Sequence, residues 1–194
     1  MEERINIEKV FEKQDFAEIT ISGKEFDGCS FRNCNFSGTV LSQCAFLDCD
    51  FSDCNFSMAH LPKSSMKTVH FTDCKLLGIR LDECDDFLFK VDFDRCILDY
   101  SWFTGKKMHK TTFDNCSLKG VNFNHADLSL SVFDNTNLED ALFESAILKQ
   151  ADFRNAYNYI IDPESAIISK AKFSRDGIHG LLGKYNIIID NGTL

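Results

Sequence analysis

From Phe16 to Leu81 every fifth residue is a large apolar side chain, and after one step of seven, to Leu88, the spacing of five runs on to Phe153. All 28 positions on this clock are Phe, Leu, Met or Ile, and they take 15 of the 19 Phe residues in the 194-residue chain. A period of five matches neither an α-helix nor an ordinary strand, so neither element can bury such a stripe on one face. The backbone must instead change direction once per pentapeptide, aiming each fifth side chain at a common axis. A chain of this kind is a solenoid, whose units bury their apolar residues only against their neighbours.

The residue two places before each axial position is also small or apolar in most units, as at Cys29, Thr39, Ala59, Val91 and Ala126. Alternate residues of extended backbone share a face, so this residue points inward beside its axial neighbour. The other three positions are mostly Asp, Asn, Ser, Thr, Lys, Arg or Gly and face water. The inward position also accounts for all nine Cys: 29, 34, 44, 49, 54, 74, 84, 96 and 116. Neither paired spacings nor converging ligands suggest a metal site, and buried free Cys behaves as a small hydrophobe. No metal and no cofactor is expected.

Segments such as Asn-Cys-Asn-Phe-Ser, Asp-Cys-Asp-Phe-Ser, His-Ala-Asp-Leu-Ser and Gln-Ala-Asp-Phe-Arg resemble the pentapeptide-repeat family over about residues 14–155. The resemblance implies an all-β fold, a right-handed quadrilateral parallel β-helix with four pentapeptides per coil and about seven coils stacked at the inter-strand spacing. The expected organisation is an N-terminal cap over 1–15, then a β-helix over 16–155. The β-helix has two register blocks, 16–81 and 88–153, joined by a two-residue insertion. A small C-terminal cap of flap, helix and strand covers 156–194. The segment Leu-Leu-Gly-Ile-Arg-Leu before the insertion is similar to the junction between coil blocks in the Qnr branch of that family, and Gly78 there permits unusual torsion.

Solenoid ends expose backbone and apolar surface, so caps are needed. Ile5, Ile7, Val10 and Phe11 are placed to cover the first coil. At the far end Ser174 reads as an N-cap, with Ile178, Leu181 and Leu182 as an apolar stripe and Ile187–Ile189 as a short strand. The Qnr resemblance implies that this tail forms a two-fold dimer, with Ile178, Leu181, Leu182, Ile187 and Ile189 as its contacts.

Thirty acids against 21 bases leave a charge of −9, which argues against direct nucleic-acid binding. No apolar run is long enough for a membrane helix and the first residues carry no export signal, so a cytoplasmic location is expected. The five His are scattered, no phosphate loop or nucleophile elbow occurs, and the interior is filled with Phe and Leu, so no enzyme is expected. One side of the coil carries Asp50, Asp53, Asp73, Asp92, Asp94, Asp114, Asp134 and Asp152, offset by Arg32, Arg95 and Arg154, with Lys106, Lys107 and Lys110 placed elsewhere. Asp and Asn also suit solvated corners for purely local reasons. Functionally, the Qnr resemblance implies that such an acidic rod imitates duplex DNA and binds a type II topoisomerase, DNA gyrase or topoisomerase IV, modulating quinolone action. The alternative is an interaction scaffold for another protein partner. The long loops of many Qnr proteins have no counterpart here.

Overall fold

The spacing of five demands a corner in each unit, and the backbone makes it with one left-handed residue. The computed structural model describes residues 3–185 and 187–188. Within it, φ between 45° and 69° recurs every five residues over most of the chain, as at Glu8, Lys13, Glu18, Gly23, Gly28 and Asn33. A non-glycine residue there costs about 1–2 kcal/mol. The corner amide offsets this by donating to a carbonyl of the next coil, as from Glu8 to Asp27 at 2.8 Å and from Asn33 to Ser52 at 2.9 Å. At Gly78 and Gly120 a Cβ would lie 2.7 Å from the Met58 sulfur and from the Tyr100 ring, so a larger residue there would have to push these exposed side chains aside.

Four pentapeptides close a coil, so residues twenty apart pair in parallel. The first wall is a four-stranded sheet of Ile5–Ile7, Glu25–Asp27, Ala45–Leu47 and Ser65–Lys67. The second is a seven-stranded sheet running from Val10–Glu12 through Ser30–Arg32, Asp50–Ser52, Val69–Thr72, Val91–Asp94 and Thr112–Asp114 to Val132–Asp134. The third wall is held by single bridges such as Asp15 to Asn35 to Asn55, and the fourth by the strands Thr20–Ser22 and Val40–Ser42 followed by bridges. The molecule is an all-β parallel solenoid.

Its interior is a set of side-chain columns. On the second wall the rings of Phe11, Phe31, Phe51, Phe71, Phe93, Phe113, Phe133, Phe153 and Phe173 stack in one file, with centroids 4.5–5.4 Å apart and planes within 12°. The coil spacing of about 4.8 Å matches this stacking distance. Rings of adjacent walls meet edge to face, as Phe31 and Phe36 do at 5.7 Å and 69°. Such pairs add about 0.5–1.5 kcal/mol beyond the area they bury.

All nine Cys are free and buried, as expected, and the column of Cys34, Cys54 and Cys74 has a polar task the sequence did not reveal. The Cys54 thiol donates to the Phe31 carbonyl at 3.5 Å, while the Cys34 amide donates to the Cys54 sulfur at 3.4 Å. Cys74 repeats the arrangement with the Phe51 carbonyl at 3.4 Å and the Cys54 amide at 3.4 Å. Ser64 substitutes for Cys in the same role, donating to the Leu41 carbonyl at 2.7 Å and accepting from the Cys44 amide at 2.9 Å. These side chains thus pair inward-facing amides that a hydrocarbon would leave unsatisfied. Burial pushes the Cys49 thiol up to about 12 and the Cys84 thiol likewise to about 12, so neither ionises near neutrality. In the native protein Ellman's reagent at pH 8 should titrate none of the nine thiols, and all nine after unfolding. A native equivalent or more would mean that the coils open.

Both ends depart from expectation. Residues 5–15 belong to a coil, with Asn6 and Phe11 facing the axis while Ile5, Ile7 and Val10 point outward and are exposed. At the far end the coils run on past Phe153, with Ile147 bridging Ile167 and Asp152 bridging Lys172. The cap then forms two 3-10 turns, Ile178–Leu181 and Gly183–Tyr185, where an α-helix was expected. Ser174 does act near its start, its hydroxyl accepting from the Gly177 amide at 3.0 Å. Leu181 packs against the core and Leu182 is half-buried, whereas Ile178 and Ile187 are exposed. Ile187 and Ile188 form no strand, and Ile189 lies outside the described residues.

The insertion also resolves differently. Pairing shifts from twenty to 22 residues across it, as for Phe71 with Phe93 and Arg80 with Trp102. Leu81 and Cys84 are inside, but Leu88 is exposed at a left-handed φ of 58°, and Phe89 takes the inward place. The loop 85–88 leaves the first wall, whose ladder stops at Ser65–Lys67 and resumes where Lys107 bridges Asp127. Lys106, placed from sequence only away from the acidic side, fills the gap at 2% exposure. Its Nζ donates to the Cys84 carbonyl at 2.7 Å and to Asp86 Oδ1 at 2.5 Å, and lies 4.5 Å from the centroid of the Phe89 ring. A buried ammonium is tolerated there because its donors are met.

Candidate partner-binding wall

The period of two places residues on either side of each axial Phe outward, so the second wall carries parallel columns of surface side chains. One column contains Asp50, His70 and Asp92 on successive coils, and Asp152 further on. The next contains Asp94, Asp114 and Asp134, again one per coil. Asp53 and Asp73 sit at the corner that closes this wall, both with left-handed φ. All eight acidic residues singled out from sequence therefore lie on this wall or its corner.

They are not equally charged in effect. Arg95 bridges Asp73 at 2.8 Å and Asp94 at 2.5 Å. Lys90 pairs with Asp92 at 2.9 Å, where His70 also lies 3.8 Å away. Asp152 is held by Arg154 at 2.7 Å and Lys172 at 3.6 Å. The Arg154 hydrogen bond keeps the Asp152 carboxyl below the usual carboxylate range, and Arg95 does the same for Asp73. Lys90 and Lys172 were not assigned this neutralising part from sequence. Lys90 lies on the insertion side of Val91, where the register had to be known before its neighbours could be.

Asp50, Asp53, Asp114 and Asp134 carry no ion pair among the described residues. The Asp114 carboxylate accepts from Asn115 at 2.9 Å, and the Asp134 carboxylate accepts from Asn155 at 2.6 Å. Carboxylates on adjacent coils stand about 5 Å apart, which costs roughly 1–3 kcal/mol per neighbouring pair at effective dielectric constants of about 80 to 20. Above Asp94, which Arg95 pairs, Asp114 and Asp134 are thus a local concentration of negative charge without a cation beside it among the described residues. No cluster of three His, Cys, Asp or Glu suited to a metal ion occurs among the described residues. No helix among them is long and apolar enough to cross a membrane.

A stacked parallel coil with Asp- and Asn-rich corners defines a class, the pentapeptide-repeat β-helices. The family profile described as "Pentapeptide repeat region" matches residues 24–105 and 106–181, and the chain belongs to that family. Among solved structures it is similar to a trypsin-treated, singly substituted variant of QnrB1, a plasmid-mediated fluoroquinolone resistance protein. The two share 18% identity over 96% of this chain and 97% of that one, at a TM-score of 0.57. A second trypsin-treated QnrB1 variant, with a different substitution, gives 17% identity over 96% and 100%, also at 0.57. HetL, involved in heterocyst differentiation regulation in Nostoc sp. strain PCC 7120, gives 16% identity over 91% and 93%, at 0.36. No curated protein matches the sequence.

Proposed function

We propose that this protein is a non-catalytic binding protein whose second wall presents carboxylates to a basic surface, as a mimic of duplex DNA directed at a type II topoisomerase. The carrying observation is the unneutralised run of Asp114 and Asp134 above Asp94, one carboxylate per coil. The coil spacing of about 4.8 Å is comparable to the phosphate spacing of about 3.4 Å along one DNA strand. A protein with a cationic DNA channel would be drawn to such a wall over long range. The shared fold with QnrB1, a fluoroquinolone resistance protein, supports the choice of DNA gyrase or topoisomerase IV as the partner. A scaffold for a different, less basic partner is the second reading, favoured by the ion pairs that cancel Asp73, Asp92, Asp94 and Asp152.

The test is supercoiling by purified DNA gyrase with this protein titrated to about tens of micromolar, with and without a quinolone. Inhibition, or relief from the drug, is expected, and both should vanish when Asp92, Asp114 and Asp134 are changed to Asn. The triple variant gives up the Lys90–Asp92 pair, worth at most about 1 kcal/mol at a partly exposed site, and gains relief of like-charge contact at Asp114 and Asp134, so it should melt within a few degrees of the parent. Silence in both assays would remove the topoisomerase reading and leave the scaffold.

A further inference from the structure

The first wall gives up its ladder at the insertion, and what stands there is apolar. Loop 85–88 projects Phe87 and Leu88, consecutive large side chains at 66% and 65% exposure, between the strand Ser65–Lys67 and the bridge residue Lys107. The loop is braced from two sides. The Phe87 amide donates to Asp85 Oδ1 at 3.0 Å, and Asp86 is tied to the buried Lys106. Further up the same wall the half-buried Ile147 bridges the exposed Ile167. A projecting apolar pair held in place by its own loop is surface that calls for an apolar partner.

Lysines surround these side chains. Lys67 lies over the Phe87 ring at 5.0 Å, and Lys107 is exposed on the coil above the loop. Lys110, Lys149 and Lys170, all exposed, follow higher on this wall and at its corner with the second. None of the five makes an ion pair among the described residues. Two carboxylates share the stretch: Asp85, engaged by the Phe87 amide, and Asp127, which accepts from the Ser129 amide at 3.0 Å. Asp86 and Lys106 cancel, as do Asp92 and Lys90 at the corner. Five free lysines against two carboxylates leave an excess of three positive charges, on a chain whose net charge is −9. Below Lys67 the wall turns acidic, with Asp48 one coil down and Asp27 two. The cationic stretch therefore runs upward from Lys67 over five coil spacings, about 25 Å.

We propose that the upper first wall docks on an anionic lipid bilayer. Phe87 and Leu88 enter the boundary between headgroups and acyl chains, and the five lysines meet lipid phosphates. The occupant has to offer anionic groups and an apolar layer side by side, and a bilayer surface does. A nucleic-acid duplex seats such a pair only by unstacking a base step, whereas a bilayer takes it without rearrangement. Basic attraction and apolar insertion add, and peripheral binding draws on both. The wall is flat, and the second wall stands on the adjoining side of the coil. A planar surface thus meets the lysines without meeting Asp114 and Asp134. The docking uses none of the second-wall carboxylates and is independent of the topoisomerase reading.

Co-sedimentation of the full chain with phosphatidylcholine vesicles containing about 30% phosphatidylglycerol, an anionic lipid, tests it. Binding is expected at about 50 mM salt and release at about 500 mM, where screening is short-ranged. Pure phosphatidylcholine should retain far less. Lys107→Glu with Lys110→Glu and Lys149→Glu should abolish binding, and none of the three has an ion pair to lose. Phe87→Ser with Leu88→Ser should weaken binding about tenfold or more, with an unchanged melting temperature, since both side chains are outside the core. Tryptophan emission reports the insertion itself: in a Trp102→Phe background, Phe87→Trp should shift to the blue on anionic vesicles. Asp92→Asn with Asp114→Asn and Asp134→Asn should bind vesicles at least as tightly as the parent, which separates this surface from the one offered to a topoisomerase. A parent that stays in the supernatant at low salt overturns the proposal. So does equal retention on neutral and anionic vesicles, binding that survives the lysine and loop changes, or an emission that does not move on vesicles that retain the protein.

Discussion

Phe113→Asp should abolish the cooperative melting of the rod's middle coils, while Asp114→Phe, one residue further on, should leave the melting temperature within a few degrees of the parent. Phe113 is fully buried, stacked on Phe93 at 5.3 Å and on Phe133 at 5.0 Å, with the Phe103 and Phe123 edges beside it. Losing the ring alone costs about 3–5 kcal/mol, as Phe→Ala changes in cores do. The introduced carboxylate has no donor there and must either be buried at several kcal/mol more or take up a proton. Together these approach the whole stability of a typical domain, about 5–15 kcal/mol. Asp114 points the other way, and its removal relieves repulsion from Asp94 and Asp134. Circular dichroism melts of both variants decide the matter, since equal midpoints are incompatible with an axis lined by every fifth residue.

The contrast between those neighbours was legible before any coordinate was known, because the clock assigns inside and outside by counting. The inward placing of the Cys was legible in the same way, and so was the gathering of the eight Asp residues on one wall and its corner. What counting cannot give is the energetics of a break in the count. Between Leu81 and Phe93 three residues, Phe87, Leu88 and Phe89, compete for one axial position. Equal steps favour Leu88, whereas the backbone puts Phe89 inside. The choice depends on which residue adopts the left-handed corner and on what fills the vacated volume, and both are tertiary questions. The burial of Lys106 was hidden for the same reason. Its position, two before Met108, is an inward one, but a lysine there is plausible only once the loop above Cys84 supplies a carbonyl and a carboxylate. At the N-terminus the apolar Ile5, Ile7 and Val10 suggested a cover for the coil, yet period-two alternation turns them outward around Asn6. A buried Asn is not an apolar marker, and so the first coil escaped the clock. Its side chain donates to the Glu25 carbonyl of the next coil at 3.4 Å and accepts from Lys9 at 3.3 Å.

Changes at Lys106 should rank in a fixed order of damage, Met least, then Ala, then Glu, and the order separates charge from volume at the insertion. Lys106→Met keeps the unbranched stem against Phe89 but removes the donor to the Cys84 carbonyl, a loss of about 1–3 kcal/mol for a buried acceptor left unpaired. Asp86 is then released, at little cost, because its side chain is 57% exposed and water can solvate it. Lys106→Ala adds a cavity where the wall ladder is already broken, about 2–5 kcal/mol by analogy with long-to-Ala core changes. Lys106→Glu faces a carbonyl and a carboxylate with a second anion and should open the loop outright. The second, third and fourth walls still pair across the insertion, as at Phe71 with Phe93, Lys75 with Ile97 and Arg80 with Trp102. The damage should therefore stay on the first wall rather than split the rod. Hydrogen exchange should accelerate for the amides of Asp85 and Lys90, which bond to the Ser64 and Met66 carbonyls, well before those of Val91–Asp94. A Lys106→Met protein that exchanges and melts like the parent would mean that filled volume alone closes the gap, and that the ammonium contributes nothing to holding the loop.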